Sequence, residues 1–278
     1  MNRDIRRFLL KLLSHLLLLS ASLLFLFPFY WMVVSSFKPT EELFSSSVHL
    51  VPQRPTLENY FYAFSNAPML RALGNSFLVA TASTILTLFL CSLAGYAFAK
   101  YNFPGRKWLF RFLLATMMVP FVVGMVPSFI IMSWFGWINT YWALIIPGAA
   151  SAFDIFLFRQ YIQSIPDDLI DAARMDGAHD FAVYSLVILP LIQPALITIG
   201  LMTFFGSWNS FLWPLIVLRS REMYTVLLAV NTMPAARFNT PWGAVMAGST
   251  FAVFPLVVLF LLLQRYIVSG LMLGGVKG

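Results

Sequence analysis

Hydrophobic positions in this chain form runs too long and continuous for the interior of a soluble domain, and short polar stretches between them carry most of the charge. A helix crossing a bilayer needs about 20 consecutive apolar residues, because hydrocarbon offers no partner to an unpaired backbone group. The runs predict six spans, roughly 12–34, 77–99, 110–134, 141–158, 187–212 and 242–263. The fourth is short and interrupted by Pro147 and Gly148, and the fifth holds Pro190, Pro194, Gly200, Gly206 and Pro214. Such breaks persist in lipid only where neighbouring helices or a water-filled cavity satisfy the freed backbone. Spans four and five are therefore expected to line a pathway. The pattern describes an all-α polytopic membrane protein with six transmembrane helices. A polar, proline-containing outer loop (38–71) sets the first span apart from a five-helix core.

Composition agrees: 60% of the 278 residues are hydrophobic and only 10% are charged, which excludes a soluble domain of this size. The net charge of +7 does not indicate nucleic acid, since the basic residues flank apolar runs rather than cluster on a soluble face. Read as topology signals, twelve of the 18 Lys and Arg fall on one side. The other side holds Lys38, Arg54, Arg71, Arg219, Arg221 and Arg237. Basic loops are retained inside, so both termini of this multi-pass membrane protein are expected in the cytoplasm. The basic start followed by a long run resembles a secretory signal, but the run is too long and lacks a small-x-small cleavage site, so it is taken as an uncleaved first span. Cys91 lies within an apolar run without a partner cysteine, which leaves it a packing role. His15, His49 and His179 are dispersed, and no metal site follows from them.

The segment 163–190, QSIPDDLIDAARMDGAHDFAVYSLVILP, gathers five of the eleven acidic residues: Asp167, Asp168, Asp171, Asp176 and Asp180. Ser164 is a suitable N-cap, Pro166 fits a first helical turn, and Asp167 and Asp168 suit the positive end of a helix dipole. Ala172 and Ala173 keep this helix slim, Gly177 can take the left-handed turn that ends it, and a second helix leads into the membrane at Leu189 and Pro190. A helix-turn-helix on the inner face is predicted, with Asp180 beyond the first helix and expected to matter little.

Asp171-Ala172-Ala173, three residues, Gly177, nine residues and Val187-Ile188-Leu189-Pro190 resemble the E-A-A, x3, G, x9, I-x-L-P signature of bacterial ABC-importer permeases. Asp stands for the usual Glu and Val for the usual Ile. Ser36-Phe37-Lys38-Pro39, Pro55-Thr56-Leu57-Glu58-Asn59-Tyr60, Asn75-Ser76, Gly206-Ser207-Trp208-Asn209, Gln264-Arg265-Tyr266 and the terminal Gly274-Gly275-Val276-Lys277-Gly278 extend the resemblance to the carbohydrate branch, with its maltose-type second permease. The resemblance implies a type I ABC importer transmembrane domain. Residues 1–69 would hold the cytoplasmic start, first span and outer loop, 70–264 the core with its coupling loop at 164–190, and 265–278 a cytoplasmic tail.

It also implies partners: a second permease subunit, an ABC ATPase dimer that binds ATP and magnesium, and an extracytoplasmic solute-binding protein, all around a chain set in membrane lipid. Nucleic acid is not among them. The chain itself would hold no cofactor, and its coupling residues would be Asp171, Ala172, Ala173, Gly177, Leu189 and Pro190. The solute expected is a sugar or oligosaccharide, with glycerol phosphate or another small polar solute as the alternative.

Candidates for the substrate path are Asp154, because an ionisable residue within a span is costly, and Trp208 with Asn209, which pair an aromatic face with an amide. Asn75 and Ser76 add hydrogen-bonding capacity. For each, helix packing is the competing role. No catalytic residue is assigned: H-E-x-x-H, G-x-S-x-G and G-x-x-x-x-G-K-[ST] are all absent. A secondary transporter would show internal repeat symmetry, which the chain lacks, and would leave the coupling loop unexplained.

Overall fold

The computed structural model describes residues 3–233 and 241–273; side chains are described except at 3–6, 8 and 265–273. Arg237 and the 274–278 tail therefore lie outside the described residues. Every regular element among them is helical. In chain order they are α1 (Arg3–Ser36), α2 (Thr40–Leu43), α3 (Glu58–Asn66), α4 (Met69–Lys100), α5 (Arg106–Thr116), α6 (Phe121–Trp134), α7 (Trp142–Ile145) and α8 (Ala152–Gln163). There follow α9 (Asp167–Met175), α10 (Asp180–Val183), a π-helical turn (Tyr184–Ile188), α11 (Leu189–Leu191) and α12 (Gln193–Trp208). The chain ends through α13 (Leu212–Val217), a 3₁₀ turn (Arg221–Met223), α14 (Val226–Asn231) and α15 (Trp242–Leu273).

Three of these helices, at 9–36, 69–100 and 242–264, are long and apolar enough to cross a bilayer alone. Two bent pairs raise the number to five: α5 with α6, turned by 102°, and the 180–191 helix with α12, turned by 81°. The expected third span is thus a bent pair, because Pro120 offers no N–H and disfavours helical geometry at Val119. The expected fourth span is not a continuous helix. It breaks between α7 and α8 around Pro147 and Gly148, and its helix runs on to Gln163, beyond the expected end at 158. By length and composition, six uninterrupted spans are not present among the described residues.

Contacts divide the chain into two compact units, 1–69 with 230–254, and 70–229 with 255–278. In the first, the two family-like segments of the outer loop meet. The Asn59 amide donates to the Ser36 and Lys38 carbonyls at 2.9 and 2.8 Å, and Tyr60 reaches the Ser36 hydroxyl at 2.9 Å. Lys38 is only 2% exposed: its ammonium donates to the His49 carbonyl and lies 4.2 Å from the centre of the Trp31 ring. The cation-π contact partly replaces the hydration that burial removes. Gly243 belongs to the same knot, since a Cβ there would collide with the Asn59 amide.

The second unit is organised along α4. Thr87 and Cys91, one turn apart on the same face, point at the break between α7 and α8. Thr87 donates to the Gly148 carbonyl at 3.4 Å, and the Cys91 thiol lies 3.8 and 3.7 Å from the Ala149 and Ser151 carbonyls. One turn further, Gly95 lets α8 approach so closely that a Cβ would stand 2.7 Å from the Phe158 Cβ and 3.0 Å from the Arg159 nitrogen. Beneath this, Phe158, Ile162, Ile188 and Ile199 close a fully buried cluster.

Gly95→Val is expected to lower the melting temperature of the detergent-solubilised protein. The overpacking cost is about 1–3 kcal/mol, since backbone rather than a flexible side chain blocks the new atoms. Gly74→Ala, where a Cβ meets nothing within 4 Å, is the control and should melt within a degree or so of the unaltered chain.

Candidate functional site

The loop after α8 folds as two short helices, with its start later than the sequence suggests. Ser164 closes α8, its hydroxyl donating to the Tyr161 carbonyl, and does not cap α9; Pro166 stands at the N-cap of α9 instead. The end of α9 is as expected: Gly177 has φ +86°, with its N–H on the Arg174 carbonyl and the Ala178 N–H on the Ala173 carbonyl, each at 3.0 Å. This pair of bonds is a Schellman end, which needs a left-handed residue and so favours glycine. Because nothing lies within 4 Å of a Cβ at Gly177, a substitution there strains backbone rather than crowding neighbours. His179 then caps α10, its Nδ1 accepting from the Ala182 N–H.

One face of α9 packs inward through Ile170 and Ala173. The opposite face is a stripe at helical spacing, Asp168, Leu169, Ala172, Met175 and Asp176, all exposed, with Met175 at 88%. Asp171 flanks it, also exposed. Bare Leu and Met between carboxylates mark a surface shaped for a partner. Two charged contacts fasten the helix to the end of α4. The Lys100 ammonium binds the Ile165 carbonyl and the Asp167 carboxylate at 2.5 and 2.6 Å. Arg174 lies over the Tyr101 ring and pairs with Asp180 at 3.1 Å.

Asp180, expected to matter little, is therefore the far jaw of this clasp. The Tyr101 hydroxyl and then the Arg174 guanidinium hold its carboxyl below the usual carboxylate range. Burial first, and the Tyr96 and Asp180 contacts after it, push the Tyr101 hydroxyl up. Beyond α10 the helix widens into the π turn, then tightens through Leu189 and Pro190 into α11. Pro190 cannot donate to the carbonyl four residues earlier, and a wider turn accommodates that lost bond. Ile188 is fully buried and Leu189 packs on the same cluster, so the loop is anchored where it enters α12.

α12 forms one wall of a cavity of about 560 Å³, which is also lined by α4, α6, α7, α8, α13 and the segment around Thr225. Asp154 opens into it from the first turn of α8, its N–H donating to the Ser151 hydroxyl at 3.3 Å. Since α7 begins at Trp142 and α8 continues to Gln163, Asp154 is near the middle of the broken fourth span. The α12 contribution comes from Thr203, Gly206 and Ser207, and Ser210 follows.

Trp208 and Asn209 are not part of this lining. Trp208 is 3% exposed and stacks on Phe204, while Asn209 is exposed and donates to the Phe205 carbonyl at 2.9 Å. Asn75 and Ser76 also lie away from it. The Asn75 amide donates to the Glu222 and Tyr224 carbonyls and accepts from the Tyr141 hydroxyl, and Ser76 accepts from the Val226 N–H. They hold the 222–226 segment in place. Asn139, not singled out from sequence, acts on the same segment: at φ 61°, it accepts from the Arg219 and Ser220 N–H groups. Its only sequence signal is an Asn shortly after Gly136, a turn composition. Among the described residues, no group of three or more His, Cys, Asp or Glu is placed to hold a metal ion.

Comparison with known proteins fits this arrangement. The family described as binding-protein-dependent transport system inner membrane component matches residues 88–272. The arabinooligosaccharides transport system permease protein of Bacillus subtilis (strain 168) is 38% identical over 260 residues, 92% of either chain. The lactose transport system permease protein of Rhizobium radiobacter is 34% identical over 277 residues, the whole of both chains. In fold, the chain is similar to a bacterial ABC transporter involved in the import of the acidic polysaccharide alginate. The TM-score is 0.82 at 24% identity, over 96% of this chain and 98% of that one.

The clasp has a testable pH dependence. Because the folded Asp180 carboxyl titrates below its ordinary value, near 3.9, its contribution is complete at neutral pH and is lost only as pH falls through the lower, folded value. Hydrogen-exchange protection of α9 should hold from pH 8 to about pH 5 and drop only in stronger acid. Asp180→Asn should lower that protection already at pH 7.

Proposed function

The chain belongs to the family of binding-protein-dependent transport system inner membrane components, and on that premise we propose that it imports a sugar or oligosaccharide. It does so as one of two permease subunits, with an ABC ATPase dimer below and an extracytoplasmic solute-binding protein above. The sugar permease names of its relatives over nine-tenths or more of their length support the solute class. ATP and magnesium belong to the partner ATPase, and this chain contributes no catalytic residue. The charge distribution supports a multi-pass protein of the bacterial inner membrane with both termini in the cytoplasm.

One observation carries the mechanism: the exposed stripe of α9 and the cavity wall of α12 are ends of one short, anchored path. In this reading α9 seats on the ATPase through Leu169, Ala172 and Met175, with Asp168, Asp171 and Asp176 orienting the contact. Closure of the ATPase dimer displaces α9. The Schellman end at Gly177 and the Arg174–Asp180 pair stop the two short helices from folding independently, so the displacement passes through the π turn, Leu189 and Pro190 to α12. ATP then biases inward-facing against outward-facing states by its differential interaction with the two. The π turn is the natural place for the path to flex, because it interrupts the regular α-helical ladder between α10 and α11.

Gly177→Val should insert and co-purify with its partners. The backbone penalty of about 1–3 kcal/mol falls on the lever, so uptake and the ATP hydrolysis stimulated by loaded binding protein should both collapse. Full stimulated hydrolysis in that variant, measured on the reconstituted complex, refutes the lever. Orientation is checked separately in a Cys91→Ala background. A cysteine at Phe64 should react with an impermeant thiol reagent added to intact cells, and one at His179 should react only after the membrane is opened.

A further inference from the structure

The buried hydroxyls of α4 and the half-buried Thr84 have partners, with one exception. Thr84 bonds back to the Ala80 carbonyl, Thr87 donates to Gly148, and Ser92 pairs with the Tyr184 hydroxyl at 2.7 Å. Ser83 is the exception. Its Oγ is buried and has no hydrogen-bond partner, and the same is true of the Thr225 Oγ1. The two side chains are 7% and 3% exposed, and both line the 560 Å³ cavity. A buried polar group without a partner is uncommon and calls for a bound species or a functional reason.

The one ionisable group in the lining is Asp154, 9% exposed, with no ion pair among the described residues. No Lys, Arg or His appears in the lining. The walls between these polar points include Phe153 and Trp213. The Trp213 indole N–H is already committed to the Ala143 carbonyl at 2.7 Å, which fixes the ring and leaves its apolar surface for contact. The volume lies within the range of about 300–1,000 Å³ common to small-molecule sites.

We propose that Ser83, Thr225 and Asp154 form a subsite in this subunit for a neutral, polyhydroxylated solute, and that it discriminates against anions. A carboxylate accepts two hydroxyl donors at once, as vicinal diols offer, and the two orphan hydroxyls can each donate or accept in return. Apolar C–H faces of the solute then meet Phe153 and Trp213. A phosphate or uronate entering the same space finds no Lys, Arg or His to offset its charge, so it would be desolvated without compensation. This deepens the sugar-import reading above and rests on it: of the two solute classes left open by sequence, it selects the neutral sugar over glycerol phosphate.

The test uses the whole importer, reconstituted in proteoliposomes with its second permease, ATPase and binding protein, and carrying Thr225→Cys with Cys91→Ala. The rate of modification by 2-aminoethyl methanethiosulfonate is measured with maltose, lactose, trehalose or arabinotriose present, and with sn-glycerol 3-phosphate. ATP-dependent uptake of the same compounds is measured in parallel on the unaltered complex.

The proposal expects a neutral sugar that is taken up to slow modification several-fold and sn-glycerol 3-phosphate to leave it unchanged, with Asp154→Asn removing the protection. Uptake of a neutral sugar without protection at position 225 overturns the subsite and leaves the sugar reading intact. Equal protection by sn-glycerol 3-phosphate overturns the discrimination. Failure of the complex to take up any neutral sugar, with uptake of the phosphate instead, overturns the sugar reading and the subsite with it. Should Thr225→Cys fail to assemble, Ser83→Cys provides the same measurement from α4.

Discussion

At membrane depth a backbone carbonyl released by a proline has no water to turn to and must find a donor within the protein. A transporter needs such breaks, because unbroken helices leave no polar cavity between them. Here the conflict is resolved by α4. Its Thr87 and Cys91 face the carbonyls freed between α7 and α8, and Gly95 removes the side chain that would hold α8 at a distance. The same helix carries Asn75 and Ser76 at one end and Lys100 at the other. An irregular fourth span, the position of Asp154 beside its break and the seat of the coupling loop thus depend on a single helix.

The two ends of that helix do different work. Near its start, Asn75 donates both amide hydrogens to one short segment and accepts from Tyr141, so the wall containing Thr225 is stiff. Near its end the contacts are charged and partly wet: Lys100 is buried but its partner Asp167 is 77% exposed. Hydrogen-bonded ends resist displacement, whereas solvent-exposed ion pairs contribute little stability and rearrange at low cost. Rigidity is concentrated beside the cavity, and compliance where a partner pushes.

Much of this was legible from hydrophobic patterning and local turn chemistry. The long runs gave α1, α4 and α15, and Gly177 announced its left-handed turn because few other residues tolerate one. Pro147 and Gly148 marked the interrupted fourth span. What escaped reading was phase and partnership. α12 is apolar around its whole circumference, so no periodic signal tells that Ser207 faces the cavity while Trp208 faces Phe204. Trp208 and Asn209 looked suitable by chemistry, and chemistry does not determine direction. Asn75 and Ser76 bond to residues about 150 positions away, a pairing no local pattern encodes. Ser164 was read as a cap because it stands two residues before a proline, yet α8 runs further than its apolar stretch suggests and takes Ser164 as its own last turn.

The knot at the end of α1 sets an order of assembly. Ribosomes deliver chain from the amino terminus, so α1 is made first, with the carbonyls of Ser36 and Lys38 waiting for Asn59 some twenty residues later. Gly243, against which the Asn59 amide packs so closely, is synthesised only when most of the chain has already emerged. α1 therefore belongs to a unit that is complete only once the chain has been made as far as residue 254. Until residue 243 arrives, α1 is held by its hydrophobicity and its bonds to Asn59 and Tyr60, and a ribosome stalled in α12 leaves a chain whose first unit is still open.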